Sequence, residues 1–234
     1  MGLEDLDIVY CLKENSTFEE FKYSLRSLKN FPHRRVWVYG GCPEWINPAT
    51  VTHVPVIQNK GNKWLNTSFL FSNIVQNDEI TEDFVWFNDD FFVLQEIEQL
   101  PYYYDRTLAA RVMDLRKKFG RYNNGYMTRL ATMARALKWD KRDTLNFELH
   151  LPMIFNRKKL ANLIRKNPGV AKRSLYGNYY AVNPIQRNDV KIYDNLGVPD
   201  ETWDFVSTSD DAFANGKVGK YLKKKFKARS IYES

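Results

Sequence analysis

Asn88, Asp89 and Asp90 stand between two apolar runs, Phe84 to Phe87 and Phe91 to Val93. Two adjacent carboxylates repel each other. Keeping both ionised beside an apolar surface costs free energy unless a cation lies between them. A hard divalent ion shared with diphosphate oxygens resolves the conflict. Carboxylate, phosphate and water are the ligands that Mg²⁺ and Mn²⁺ favour. Asp89 and Asp90 are therefore the expected metal ligands. An Asn-Asp turn closing a strand is the ordinary alternative.

Three further groupings carry chemistry. In Phe147-Glu148-Leu149-His150-Leu151-Pro152, an extended backbone points Glu148 and His150 to the same side. Such a pair serves as acid and base with an orienting partner, or as metal ligands. The chain has only three histidines, and His33 and His53 fall at a turn and a strand start. The run Asp204 to Asp211 is a second strand-like segment ending in paired carboxylates. Asp210 or Asp211 would complete a metal shell or bind acceptor hydroxyls, and an N-cap at Ser209 explains the same residues. Asn59 to Trp64, with Asn66, precedes a helix. A cationic loop at a helix N-terminus suits a diphosphate.

The elements that must position these groups read as alternating strands and helices. Leu6 to Tyr10 is a short apolar run of the buried parallel kind. Ser16 and Glu19 have capping-box spacing. After them Phe18, Phe21, Leu25 and Leu28 recur on one helical face, and Pro32 ends the helix. Strands are expected at 35–39, 54–57 and 82–87, with a helix at 62–76 between the last two. This β-α-β-β-α-β order implies a largely parallel sheet covered by helices. Ligands then bind outside the carboxyl ends of the strands, here residues 10–15, 40–44 and 88–90. Long helices are expected at 105–119 and 124–138. They carry Arg111, Arg116, Lys117, Lys118, Arg121, Arg129, Arg135 and Lys138, as solvated faces or as an acceptor-binding surface.

The strand that ends in Asn88-Asp89-Asp90 resembles the acidic motif of glycosyltransferases with the A-type fold. Asp7 to Tyr10, Tyr23 to Leu28 and Phe87 to Asp90 are similar to the corresponding blocks of the Stealth-type sugar-phosphate transferases, and Glu148 to Pro152 resembles that family's later histidine block. Where that family has Trp-Val-Asp-Gly, this chain has Cys11-Leu12-Lys13-Glu14. The resemblance implies a mixed α/β, Rossmann-like fold and a nucleoside-diphosphate sugar as donor. It implies that Tyr10 lies against the base and that Asn88 and Asp89 touch the ribose or the sugar. Asp90 would hold Mn²⁺ or Mg²⁺. Lys60, Lys63 and Asn66 would contact the donor. Glu148 or His150 would serve the acceptor, with Asp211 nearby.

The chain has 234 residues, which suits one α/β domain: a nucleotide-sugar-binding half (1–100) and a mostly helical acceptor half (101–234). Aromatics make up 15% of it, enough for core clusters and for a wall on which a base or sugar stacks. The formal charge is +7, and residues 217–229 hold seven basic residues and no acidic one. That stretch is either a solvated tail or a clamp on phosphates. The charge motivates one acceptor, DNA carrying a hydroxymethylated base, against a glycan or capsule acceptor receiving a sugar phosphate. A non-catalytic nucleic-acid-binding module would explain charge and aromatics without a metal. It would leave two carboxylates where a cationic groove is wanted. Neither cysteine has metal-ligand spacing, and both are expected to be reduced thiols of a soluble intracellular protein. No membrane-spanning run is present in the sequence. Walker, dinucleotide and nucleophile-elbow motifs and a Cys/His zinc cluster are absent from the sequence too, which leaves kinase and dehydrogenase readings without support.

Overall fold

A computed structural model describes residues 2–14, 17–58, 61, 63–120, 125–137, 144–167 and 172–234, without the side chains at 63, 64, 119, 131 and 134–136. In chain order the strands are β1 (Asp7–Leu12), β2 (Val36–Gly40), β3 (Val51–Val54), β4 (Asp83–Phe87), β5 (Phe91–Val93), β6 (Tyr103–Tyr104), β7 (Met153–Asn156), β8 (Ile185–Gln186), β9 (Lys191–Ile192) and β10 (Phe205–Thr208). The helices are α1 (Glu19–Ser27), α2 (Lys63–Gln76), α3 (Leu108–Phe119), α4 (Gly125–Ala136), α5 (Arg157–Lys166), α6 (Lys172–Tyr180), α7 (Asp210–Asn215) and α8 (Lys217–Lys225).

The main sheet has the order β3-β2-β1-β4-β7. Its first four strands are parallel, and β7 closes one edge antiparallel to β4. The chain builds outward from β1 through β2 to β3, then returns to place β4 on the other side of β1. The reversal leaves a crevice at the carboxyl ends of β1 and β4. A second sheet, β5-β10-β9, begins immediately after the acidic turn.

Both faces of the main sheet are buried, so its strands alternate between two cores. Ile8, Tyr10, Leu12, Val36, Val38, Val85 and Phe87 face α1. Val9, Trp37, Tyr39, Phe84 and Phe155 face the side covered by α2, α5 and α6. A third cluster joins Phe92 and Val206 to Phe213, Val218 and Leu222 of the last two helices. The expected basic tail is thus α8, with an apolar face buried and its lysines outward. Arg26 holds the chain end, donating from Nε and Nη2 to the Glu233 carboxylate at 2.8 and 2.6 Å.

The β-α-β-β-α-β order is present, with two corrections. The third strand lies at Val51–Val54, earlier than 54–57. There His53 Nε2 donates to the Gly40 carbonyl at 2.8 Å, and the chain leaves the sheet. The capping box is also displaced. Helix α1 begins at Glu19 after Phe18 in the left-handed region (φ 53°), so Glu19 is its first residue rather than its third. Ser16 lies outside the described residues. Gly40 has φ +100°, and a Cβ there would meet the Leu12 carbonyl oxygen at 2.3 Å. Only glycine lets β2 end that close to β1.

Asp7 pins the opposite end of the sheet. Its carboxylate is fully buried and accepts from Arg34 Nε (2.8 Å) and Nη2 (3.0 Å), Trp37 Nε1 (2.8 Å) and the Thr81 amide (3.1 Å). Burial opposes its ionisation, but these donors outweigh it and hold the carboxyl below the usual range. A depressed carboxylate stabilises the fold above its unfolded pKa of about 3.9, and that contribution is lost as pH falls through the lower folded value. Asp7→Ala is expected to cost about 3 kcal/mol at pH 7, because it strands buried donors and an arginine. The gap to wild type should narrow below about pH 4. Urea denaturation of both proteins at pH 7 and pH 3 measures it; a gap independent of pH would refute the assignment.

Candidate active site

A cavity of about 730 Å³ opens where β1 and β4 end. Cys11 from β1, Trp86 from β4 and the Asn88-Asp89 turn form one wall. Helices α3 and α4 contribute Arg111, Lys118 and Arg129. The extended segment before β7 adds Glu148 and His150, α6 adds Lys172 and Arg173, and the surroundings of β9 add Asp189, Lys191 and Tyr193.

The acidic turn is built from behind. The Phe91 amide donates to the Asn88 carbonyl at 3.3 Å and closes the turn. Ser24 Oγ donates to the Phe91 carbonyl at 2.6 Å and lies 2.9 Å from the Tyr10 hydroxyl. Since Ser24 has one hydroxyl proton, Tyr10 is the donor to Ser24. Tyr10 is fully buried against Phe21 and Phe87. The expectation that it meets a nucleobase is corrected: strand alternation turns Tyr10 into the α1 core and its neighbour Cys11 toward the cavity. Burial pushes the Cys11 thiol up to about 12, so it is a poor nucleophile near neutral pH.

The two aspartates part company. Asp89 lines the cavity. Asp90 is 8% exposed and turns toward the second sheet. Its Oδ2 accepts from Lys191 Nζ at 2.6 Å and Ser207 Oγ at 2.9 Å. Behind them Glu20 accepts from Thr208 Oγ1 at 2.6 Å. Burial, then Asp90 and Asp210, push the Asp89 carboxyl up to about 7. Burial, with Asp90, Asp89 and Asp210, pushes Glu20 up to about 8. Four carboxylates thus act on one another, with Lys191 as the one close ammonium among the described residues. Such a local surplus of negative charge fits a divalent cation. Among the described residues no group of three or more His, Cys, Asp or Glu is placed to hold a metal. The fit is therefore of the kind in which one or two carboxylates share the ion with substrate phosphates and water.

Across the cavity His150 and Asp189 form a pair. Asp189 Oδ2 lies 2.7 Å from His150 Nδ1, and Oδ1 accepts from the His150 amide at 3.0 Å. Burial raises the Asp189 carboxyl, but the bonds to His150 outweigh it and leave it below the usual range. Asp189 thus holds His150 by its backbone amide and by ring Nδ1, and Nε2 is the imidazole's remaining nitrogen. Glu148 lines the same cavity, with Oε1 accepting from the Ser174 amide at 2.8 Å.

Lys172 and Arg173 form the deepest cationic surface, each 5% exposed. Lys172 Nζ donates to Ser68 Oγ at 2.9 Å. The Arg173 guanidinium lies 4.2 Å from the Trp86 ring centre and donates to the Leu151 carbonyl. Arg173 Nη2, Arg111 Nε and Trp86 Nε1 are buried with no hydrogen-bond partner among the described residues. Sequence reading missed Lys172, Arg173, Asp189, Lys191 and Glu20. Charged residues in helices and loops read as surface, and nothing local to them signals burial.

Other expected site residues lie elsewhere. Asp211 is exposed in the first turn of α7 and accepts from Asn215 Nδ2 at 2.8 Å. Ser209 caps that helix at the Ala212 amide, and it is Asp210 that acts on Asp89. Lys60 and the side chain of Lys63 lie outside the described residues, as do Arg121 and Lys138 and the side chain of Arg135. Near them Thr67, not Asn66, lines the cavity, and no basic residue of α8 does.

No family model and no curated protein matches this chain. Among solved structures it is similar to the galactosyltransferase LgtC in complex with donor and acceptor sugar analogues, with TM-score 0.51 and 9% identity over 97% of each chain. It is also similar to the glycosyltransferase GlyE of Streptococcus pneumoniae TIGR4 (TM-score 0.48, 12% identity, 95% of this chain and 61% of that one). A third is the bifunctional glycosyltransferase WbbM (TM-score 0.49, 13% identity, 94% of this chain and 43% of that one). At these identities the likeness is one of fold, and the first comparison carries it. The chain has the A-type glycosyltransferase architecture: a mainly parallel central sheet flanked by helices.

One packing contact sets the segment before β7. A Cβ on Gly177 would lie 2.6 Å from the ring of buried Phe147, and Phe147 adjoins Glu148. Gly177→Ala is expected to cost about 1–3 kcal/mol through overpacking. Thermal denaturation measures this; an unchanged midpoint would mean that the segment yields freely.

Proposed function

We propose that this chain is a glycosyltransferase. It takes a sugar from a nucleoside-diphosphate sugar, held with Mn²⁺ or Mg²⁺ at Asn88-Asp89-Asp90, and passes it to a hydroxyl of a glycan acceptor. One observation carries the reading. Asp89 and the His150–Asp189 pair line the same cavity, at the topological switch point of a glycosyltransferase fold.

Asp89 would hold the cation, with Asp90 as the second carboxylate. When bound, the cation would stabilise charge on the departing diphosphate. The chain's own residues supply the rest. Lys191 adds a fixed positive charge on the donor side and bonds Asp90. Asn88 offers an amide to a ribose or sugar hydroxyl. His150 Nε2 takes the proton of the acceptor hydroxyl as its oxygen bonds the anomeric carbon and the bond to the diphosphate breaks. Asp189 is a positioning residue that holds Nδ1, so Nε2 stays the accepting nitrogen. The DNA acceptor suggested by net charge would draw on the lysines of α8, and these do not line the cavity.

Two experiments test the reading. In a thermal-shift panel of nucleotide sugars, one donor at about 100 times its Kd should add about 2.7 kcal/mol, roughly 5–10 °C, and only with Mn²⁺ or Mg²⁺ present. Asp89→Asn should abolish the shift. A chain indifferent to every donor would overturn the transferase reading. A nucleoside monophosphate among the products would instead favour sugar-phosphate transfer of the Stealth kind.

His150→Gln should lower kcat by about 10²- to 10⁴-fold with little change in donor KM. Added imidazole should restore part of the activity. Full activity in the variant would exclude His150 as the base.

A further inference from the structure

The cavity has two electrical poles. The largest charge effects on Asp89 come from Asp90, Asp210 and Lys191. Those on Lys172 come from Arg129, Glu148 and Cys11. The two sets share no member. At the acidic pole, a donor diphosphate and its cation neutralise each other and the carboxylates. That leaves Arg111, Arg129, Lys172 and Arg173, four cations on which two lining carboxylates, Glu148 and Asp189, act, more positive charge than the donor reading consumes.

This second pole is a built recess. Arg173 is 5% exposed. Its guanidinium is fixed between the Trp86 ring, at 4.2 Å, and the Phe91 ring, at 5.3 Å. Its Nη1 serves Leu151, and its Nη2 is without a partner among the described residues, as is Arg111 Nε. Burying an N–H of a cation without an acceptor is costly. Lys172 beside Arg129 adds like-charge repulsion. Together with burial this takes the lysine down to about 8. An oxyanion bound there would relieve both penalties at once.

We infer that Arg111, Arg129, Lys172 and Arg173 form a second anion subsite, separate from the donor's diphosphate, which receives a phosphate or carboxylate group of a small glycan acceptor. The inference deepens the proposed function and rests on its placing of the acceptor at Glu148 and His150. A duplex fits the subsite poorly. Its floor is nearly closed to solvent, so one anionic group can enter and a phosphodiester track cannot.

The test titrates inorganic phosphate at constant ionic strength, by calorimetry, into the protein alone and into protein saturated with a nucleoside diphosphate and Mn²⁺. One phosphate should bind in both cases. Arg129→Gln and Lys172→Met should each weaken it by about tenfold or more, while Asp89→Asn leaves it in place. Arg129 is only half-buried, so that variant keeps the test decisive if Lys172→Met fails to fold, which circular dichroism reports. Competition between phosphate and the nucleoside diphosphate would mean a single anion site and would overturn the inference. So would undiminished binding in both variants, or no binding of phosphate beside intact donor binding. Phosphate binding without any donor binding would instead sink the donor reading and leave the subsite. Glycerol phosphate and glucuronate, compared as competitors, distinguish the two kinds of anion. Displacement of phosphate by duplex DNA would replace the small acceptor with a nucleic acid.

Discussion

The repulsion among Glu20, Asp89, Asp90 and Asp210 is the constraint around which the molecule is arranged. Four carboxylates converge where the main sheet ends, with Asp90 buried, Asp89 and Glu20 partly buried and Asp210 exposed. The protein offsets part of this cost with one ammonium. Lys191, on β9, reaches Asp90 at 2.6 Å, and Ser207 on β10 adds a hydroxyl at 2.9 Å. These two contacts join the second sheet to the end of the first. The strand that follows the turn, β5, pairs with β10 in the same sheet. The residues that steady the acidic turn are thus also those that fold the chain back over it. Among the described residues one ammonium against four carboxylates leaves the balance negative, which on the proposed reading a bound cation would complete.

Much of the fold was legible because both of its causes are local. Apolar runs bounded by glycine and proline marked the parallel strands, and a three-to-four spacing marked α1 and α2. Asn88-Asp89-Asp90 was legible because two adjacent acids between apolar runs have few uses. What stayed hidden depends on facing. Tyr10 and Cys11 are equally plausible cavity residues until the register of β1 against β2 and β4 is known. A single step in register exchanges them. Asp211 was chosen where Asp210 acts, since a helix N-terminus presents its neighbouring acids in different directions.

The basic wall was hidden for a different reason. Lys172-Arg173-Ser174 opens α6 with a sequence that fits a solvated helix start, yet all three residues are buried. Their burial comes from long-range contacts: Ser68 from α2, Trp86 from β4, and Leu151 before β7. Asp189 likewise has meaning only beside His150, 39 positions away. Charge therefore identified a basic protein and pointed first to α8, where the lysines are densest and outward. The cations that shape the cavity are fewer and scattered along the chain. The structure gathers them on one wall.

Lining one cavity with both acid and base also limits what it can bind. A wholly basic pocket would hold any polyanion, and a wholly acidic one would hold cations alone. Here the net positive lining attracts an anionic substrate, while the acidic turn repels one that arrives without a counter-ion. On the proposed reading a diphosphate paired with a divalent cation would satisfy the turn, and a bare phosphate would be directed to the other cluster of charges. The His150–Asp189 pair is part of the same lining, so one imidazole serves whatever hydroxyl is brought in beside it. Selectivity on this arrangement comes from the order of charges along one recess. That order depends on Lys191 and Arg173 being held by ring faces, a carbonyl and a carboxylate rather than by solvent.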